Sequence, residues 1–147
     1  MKNQLDCVNL RKTILDMAYS GNTVHIACAF SILELLAVIY RSHLRYSTED
    51  LEDPNRDYLI LSKGHGVMAQ YACMKELGLL SAEDVKNYFL DGTILKGLSD
   101  SRVPRLEVTS GTLGHGLSIA VGIAYASFLK NTDQKVYAII GDGEANE

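Results

Sequence analysis

The sequence predicts an α/β fold, helix-rich with few parallel strands, and incomplete within this chain. Three observations lead there. Val136-Tyr-Ala-Ile-Ile is a continuous apolar run, the pattern of a strand covered on both faces as in a parallel sheet. Helical patterns greatly outnumber strand patterns around it. Only one other short β-prone run, Tyr58 to Leu61, is available as a neighbour, and one or two strands make a poor sheet.

Taken in order, Cys7, Leu10, Ile14 and Met17 recur at three- and four-residue steps with Arg11, Lys12 and Asp16 between them. This is an amphipathic first helix ended by Ser20-Gly21-Asn22. From Ala29 to about Leu44 a second helix is apolar nearly all round and is expected to be deeply packed, with Glu34 either a buried acid with a functional partner or, more commonly for such a residue, paired or at the helix edge. Ser47 to Asp57 is polar and reads as a surface loop. Tyr58 to Leu61 leads into Ser62-Lys-Gly-His-Gly, and a helix from Val67 to Glu76 stops at Gly78. Ser81 is an N-cap with Asp84 at the third helical position. Asp91 to Arg105 is a long irregular segment rich in turn signals, and such loops are commonly functional. Thr109 to Gly116 is glycine-rich and opens a helix from about Leu117 to Lys130; the apolar strand then ends in Gly141-Asp-Gly-Glu.

The 147 residues suit one compact domain, residues 1–147, and 47% apolar with 22% charged residues is ordinary globular composition. A net charge of −4 and the lack of a basic stripe argue against nucleic acid as a partner. The longest apolar stretch, Ile32 to Tyr40, contains Glu34 and is too short to span a bilayer, so no membrane association is expected. Cys7, Cys28 and Cys73 are odd in number, far apart and set in apolar stretches, which suits buried free thiols in a reducing compartment. A cytoplasmic location is the expectation from that and from an N-terminus that does not read as a secretory signal.

The chemistry is concentrated in short glycine-flanked turns. Three glycines between Ser110 and Gly116 let a ligand approach the main chain where a helix begins, and free amides with a positive dipole end favour an anion such as a diphosphate. Asp142, between Gly141 and Gly143 at the carboxyl end of a strand, is a suitable Mg²⁺ or Ca²⁺ ligand, and Mg²⁺ commonly takes one or two carboxylates plus phosphate oxygens. His65 and His115 both lie in glycine-flanked turns, His25 follows the first helix, and His43 reads as an ordinary surface or cap residue. No spacing of histidine and cysteine suggests zinc, and no GxSxG element marks a serine hydrolase.

Together these segments resemble the N-terminal, diphosphate-binding domain of the transketolase family. The resemblance runs nearly the full length and rests on four segments: His25 with FSILELLAVIY, DYLILSKGH (57–65), SGTLGHGLSIAVGIAYA (110–126) and VYAIIGDGEANE (136–147). It implies a partial thiamine-diphosphate-binding fold. It also implies thiamine diphosphate and Mg²⁺ as cofactors, and transfer of a two-carbon ketol unit from a ketose to an aldose, with sugar phosphates as substrates. By position, His65 would contact the diphosphate and His25 would face the reacting centre. Gly111, Thr112, Leu113 and Gly114 would line the cofactor, with Leu113 near the aminopyrimidine ring. Asp142 would bind Mg²⁺, Gly143 and Glu144 would lie at the diphosphate, and Glu147 would link to the partner half of the site. His115 joins His25, His65 and Glu147 as a catalytic candidate.

The chain also departs from the family pattern. It ends before the asparagine that supplies a second Mg²⁺ ligand, and the glutamate that activates the cofactor lies in a domain this chain lacks. Gly97-Leu98-Ser99 stands where Gly-His-Pro is usual, and Val24, Ala27 and Cys28 stand where small glycines are common. Two readings follow: a component of a split enzyme, inactive alone and completed by a C-terminal transketolase-like subunit or the remainder of a longer chain in a homo- or hetero-oligomer; or a non-catalytic fragment or interaction module. The apolar second helix would suit an interface.

Overall fold

The computed structural model describes residues 5–46 and 53–147. Its N-terminal helix α1 (Cys7–Ser20) starts where the Asp6 carboxylate accepts the Val8 amide and stops at Gly21. The three- and four-residue spacing puts Leu10, Ile14 and Met17 in the core.

The apolar stretch after it is not one helix. It divides into α2 (Ile26–Phe30), α3 (Leu33–Val38) and a π-helical turn, Ile39–His43. At the first break the Ser31 hydroxyl donates to the Cys28 carbonyl, a local bond that competes with the helical ladder. Ile32 leaves helical geometry at φ −120°, and its Cδ1 packs where a side chain on Gly66 would otherwise sit. At the far end the Leu44 amide donates to the Ile39 carbonyl, one residue beyond the α-helical spacing. Deep packing is also limited to one side: Leu33, Leu36 and Ala37 are buried, whereas Leu35 and Val38 are exposed. Glu34 lies at the helix edge, ion-paired with Arg11, and His43 is exposed.

The helix buried on all sides is instead α4 (Val67–Glu76), where every residue from Val67 to Met74 is buried. It packs on α1, α2 and α3 and on the short capped helix α5 (Ala82–Lys86), whose Ser81 and Asp84 form the expected reciprocal cap. Each leucine-sized side chain in this core contributes roughly 1.5–3 kcal/mol relative to leaving it in water. Cys73, within α4, is buried and its thiol is pushed up to about 12 by that burial; Cys7 and Cys28 are partly buried, and all three are free.

Strands β1 (Tyr58–Leu61) and β2 (Val136–Ile139) pair in parallel, Tyr58 opposite Val136 and Leu61 opposite Ile139. Their leading ends are tied by Asp57, whose buried carboxylate accepts the Arg45 amide and guanidinium and the Lys135 amide. Arg45 also pairs with Asp133. Coverage of both faces is found for β1, with Leu59, Ile60 and Leu61 buried. In β2 only Ile139 is buried.

The last helix, α6 (His115–Leu129), packs on Ile60 and Val108 through Ala120. Its outward face is apolar yet exposed: Leu117, Val121, Tyr125, Leu129 and Phe128, the last at 75%. An apolar face of that kind is a candidate interaction surface. The Ser47–Asp57 loop lies partly outside the described residues; residues 53–57 are irregular, as expected. No helix of the described residues is long and apolar enough to cross a membrane.

Candidate functional site

Because β1 and β2 are parallel, their carboxyl ends open on the same edge, the position where open α/β sheets bind ligands. The turn 62–66 leaves β1 there, and the turn containing Gly141 and Asp142 leaves β2 there. The N-terminus of α6 is pressed between them.

The fit of these three pieces depends on glycine at two places. A Cβ on Gly64 would meet the Ser110 carbonyl oxygen at 2.4 Å, and one on Gly116 would meet the Cα, Cβ and Oγ of Ser62 at 2.5 Å. Backbone therefore lies directly on backbone. The Ser110 hydroxyl closes the same seam by donating to the Leu61 carbonyl at 2.8 Å. At the start of α6, Gly114 adopts φ +82°, a left-handed conformation open to glycine at little cost, and no side chain caps the helix. The His115 amide donates to the Thr112 carbonyl at 3.4 Å, and the amides that follow it in the first turn have no side-chain cap and are left for water or a ligand.

Glu144 sits beneath this junction, 4% exposed. Its Oε1 accepts the Ser62 hydroxyl at 2.5 Å and the Gly114 amide at 3.0 Å, and its Oε2 accepts the Gly141 amide at 2.8 Å. Burial alone would raise this carboxyl, but the Gly141, Ser62 and Gly114 donors and the nearby His65 together hold it below the usual range.

The other expected residues are distributed around the junction. His65 is half-buried in the turn after β1, and its ring centroid lies 5.6 Å from that of His25, at the entry to α2. Desolvation, the Lys63 ammonium and His25 all lower the His65 pKa, so its imidazole is neutral at neutral pH. His115 is exposed on the first turn of α6, and the ring contact pairs His65 with His25, not with it. Thr112 and Leu113 are exposed on the α6 approach, and Gly111 is held against the Leu98 side chain. Asp142 is exposed at the end of the β2 turn, and Gly143 faces open space, with nothing within 4 Å of where a Cβ would be. Glu147 is exposed, its Cβ beside Gly114. Among the described residues, no group of three or more His, Cys, Asp or Glu side chains could hold a metal by itself. Asp142 therefore stands as a single carboxylate.

Beside His25 opens a pocket of about 470 Å³ lined by Thr23, Val24, Phe89, Lys96 and Leu98. Leu98, at the position of the altered Gly-His-Pro motif, thus joins this pocket to the glycine-rich turn at Gly111.

Sequence reasoning missed Ser62, Lys63 and Ser110. Lys63 donates to the Ser31 hydroxyl at 3.1 Å, and its stem lies beside Gly141, placing a cation at the junction. Its position inside a glycine-bounded turn was the available signal. Ser62 and Ser110 act through contacts made across the fold and left no local pattern.

Comparison with known proteins bears on the same segments. A family model described as transketolase, thiamine diphosphate binding domain, matches residues 3–147. The chain is 36% identical over 137 residues to one subunit of the apulose-4-phosphate transketolase of Phocaeicola vulgatus, covering 93% of this chain and 49% of that protein. It is 35% identical over 139 residues to one subunit of the 6-deoxy-6-sulfo-D-fructose transketolase of a Clostridium species, covering 94% and 50% respectively. The crystal structure of transketolase from Campylobacter jejuni matches the whole chain with a TM-score of 0.88 at 28% identity, over 25% of its own length. The chain spans about half the length of these subunits and about a fifth of full-length transketolases such as the human protein. A helix-rich fold with two parallel strands, this sequence and this set of turns agree: the chain belongs to the transketolase family, in its thiamine-diphosphate-binding domain.

Proposed function

We propose that the chain, residues 1–147, is the diphosphate-binding part of a thiamine-diphosphate-dependent transketolase, transferring a two-carbon ketol unit from a ketose to an aldose once further polypeptide completes the site. One observation carries the reading: the turns after β1 and β2 and the uncapped start of α6 meet at a single junction. The donor set suits the cofactor. Gly143 leaves open room for a ligand against the main chain, the first turn of α6 offers amides, and Lys63 and His65 bring N–H donors to the same edge.

When bound, the cofactor supplies the carbanion chemistry of ketol transfer. The chain's own residues bind and orient. His65, neutral near pH 7 before the ligand arrives, donates to the diphosphate. Gly143 presents its backbone there, and Gly111, Thr112, Leu113 and Gly114 form the adjoining wall, with Leu113 as the apolar contact for the aminopyrimidine ring. Asp142 contributes one carboxylate to Mg²⁺, the remaining ligands coming from the diphosphate and the completing polypeptide. His25, beside the 470 Å³ pocket, moves protons at the sugar hydroxyls, with His65 and His115 as the further titratable groups. Glu147 reaches toward the partner half of the site. Sugar phosphates are the proposed substrates, and the free thiols suit a cytoplasmic location. The exposed apolar face of α6 supports a completing subunit or chain segment packed on it, in a homo- or hetero-oligomer.

The test is a single-turnover assay with thiamine diphosphate, Mg²⁺ and a ketose donor, on the chain alone and on any complex co-purified from its native source. The expected result is product from the complex and none from the chain alone. Product from the chain alone refutes the need for a partner. A complex without turnover favours a non-catalytic interaction module.

A further inference from the structure

The residue that stands out once the site is assembled is Glu144. It follows the metal-type aspartate closely in sequence, yet its carboxylate turns inward and is spent on protein donors. Those donors come from three places: Ser62 in the turn after β1, Gly114 at the start of α6 and Gly141 in the turn after β2. No other side chain among the described residues bonds to all three. Hydrogen bonds to a carboxylate are roughly twice as strong as neutral ones, and burial excludes the water that would compete for them.

This arrangement has a consequence for ligand binding. The Gly114 and Gly141 amides are committed to Glu144, so an anion at the junction must be received by the groups next to them, at Gly143, the first turn of α6 and His65. Their direction is set by how the three turns are held. We propose that Glu144 is a positioning residue: a buried carboxylate clasp that fixes the three turns in one arrangement before a diphosphate binds. The clasp rests on hydrogen-bond geometry, and only its purpose rests on the cofactor reading above.

Glu144→Gln keeps the shape but replaces one acceptor oxygen with an NH₂ group that cannot accept from its donors. Ser62→Ala removes one of the three bonds and leaves the carboxylate in place. Ile14→Val, in the α1–α4 core, serves as a control for loss of stability without loss of the clasp. The measurements, on the 147-residue chain, are residue-resolved amide exchange at Gly114 and Gly141 and calorimetric titration with Mg²⁺ and inorganic pyrophosphate. For Glu144→Gln, exchange at both glycines is expected to accelerate and pyrophosphate affinity to fall on the order of tenfold, as for other groups that orient a binding shell. Ser62→Ala is expected to change both in the same direction by less. The proposal is overturned if exchange at Gly114 and Gly141 is unchanged in both variants. It is also overturned if their affinity falls no further than that of Ile14→Val at a matched unfolding midpoint. If the wild-type chain does not bind pyrophosphate, the cofactor reading and the purpose given to the clasp fail together. The exchange data then still decide whether the clasp exists.

Discussion

Replacing Gly116 with alanine sets two known effects against each other. Gly116 is the second residue of α6, where alanine would ordinarily stabilise a helix by about 1 kcal/mol through propensity alone. Against this, the added Cβ would sit 2.5 Å from Ser62 Cα, Cβ and Oγ. Carbon atoms pack best at about 3.5–4.0 Å, so roughly 1 Å has to be opened between α6 and the turn after β1. One of the contacted atoms is backbone, and a rotamer change cannot relieve it. Overpacking of this kind costs about 1–3 kcal/mol. The opening also stretches the bonds that Glu144 makes to Ser62 and Gly114, and losing one charged hydrogen bond adds about 1.5–3 kcal/mol.

The clash wins, and the net destabilisation is about 2–4 kcal/mol, or roughly 5–15 °C in the thermal midpoint of a chain this size. Gly122 provides the control within the same helix. Nothing lies within 4 Å of its Cβ position, so Gly122→Ala is expected to stabilise by about 0.5–1 kcal/mol. Urea and thermal unfolding followed by circular dichroism report both. The seam between α6 and the turn after β1 would be disproved if the two substitutions shifted stability in the same direction by similar amounts.

Two further outcomes are expected. Asp142→Ala should abolish the Mg²⁺-dependent part of diphosphate binding while leaving the unfolding midpoint within about 0.5 kcal/mol of wild type, since the residue is exposed; equal affinity of the two proteins by calorimetry sinks the metal assignment. For His65 the folded pKa is lowered from 6.5, chiefly by desolvation and then by Lys63 and His25. The folded state therefore binds this proton less readily than the unfolded one, so its contribution to stability is complete above about pH 6.5 and lost as pH falls through that value toward the folded pKa. An anion placed against the imidazole reverses the shift, so diphosphate binding near neutrality should take up a proton at His65. Calorimetry in two buffers of different ionisation enthalpy measures this uptake, and a buffer dependence that is the same in His65→Asn refutes the contact.

Much of the secondary structure was legible because its causes are local. The step pattern of Leu10, Ile14 and Met17, the Ser81–Asp84 cap and the glycine at φ +75° after α4 all act within a few residues. The break between α2 and α3 was not legible in the same way. Its apolar residues continue the helical pattern through Ser31 and Ile32, and the bend follows from a Ser31 hydroxyl bond and from Ile32 filling the space left by Gly66, far along the chain. Burial is misjudged for a related reason. Both the 29–44 stretch and α4 are apolar, but which of two apolar segments becomes central is decided by topology: of these two, it is α4 that packs on α1, α2, α3 and α5 together.

The same distinction explains what could be read of the site. Glycine-flanked histidines and the Gly-Asp-Gly turn show in composition, because a ligand approaching the backbone needs positions without side chains. The parts that hold these turns together are ordinary residue types, two serines and a glutamate, and nothing local distinguishes them. The family resemblance places Asp142 on Mg²⁺ and Glu144, with Gly143, at the diphosphate. Burial separates the two acids: one carboxylate is exposed beside open space at Gly143, and the other is 4% exposed and hydrogen-bonded through both oxygens. An acid buried beneath an anion site has an electrostatic cost, because its charge opposes the ligand. Here the cost is limited by geometry, since three donors already engage both carboxylate oxygens and their dipoles oppose its field. A diphosphate arriving at Gly143 and the first turn of α6 would meet the donor side of the junction, while the carboxylate lies behind its own hydrogen bonds. On the proposed reading, two neighbouring acids serve one anionic ligand in opposite ways, the exposed one through a metal ion and the buried one through the backbone.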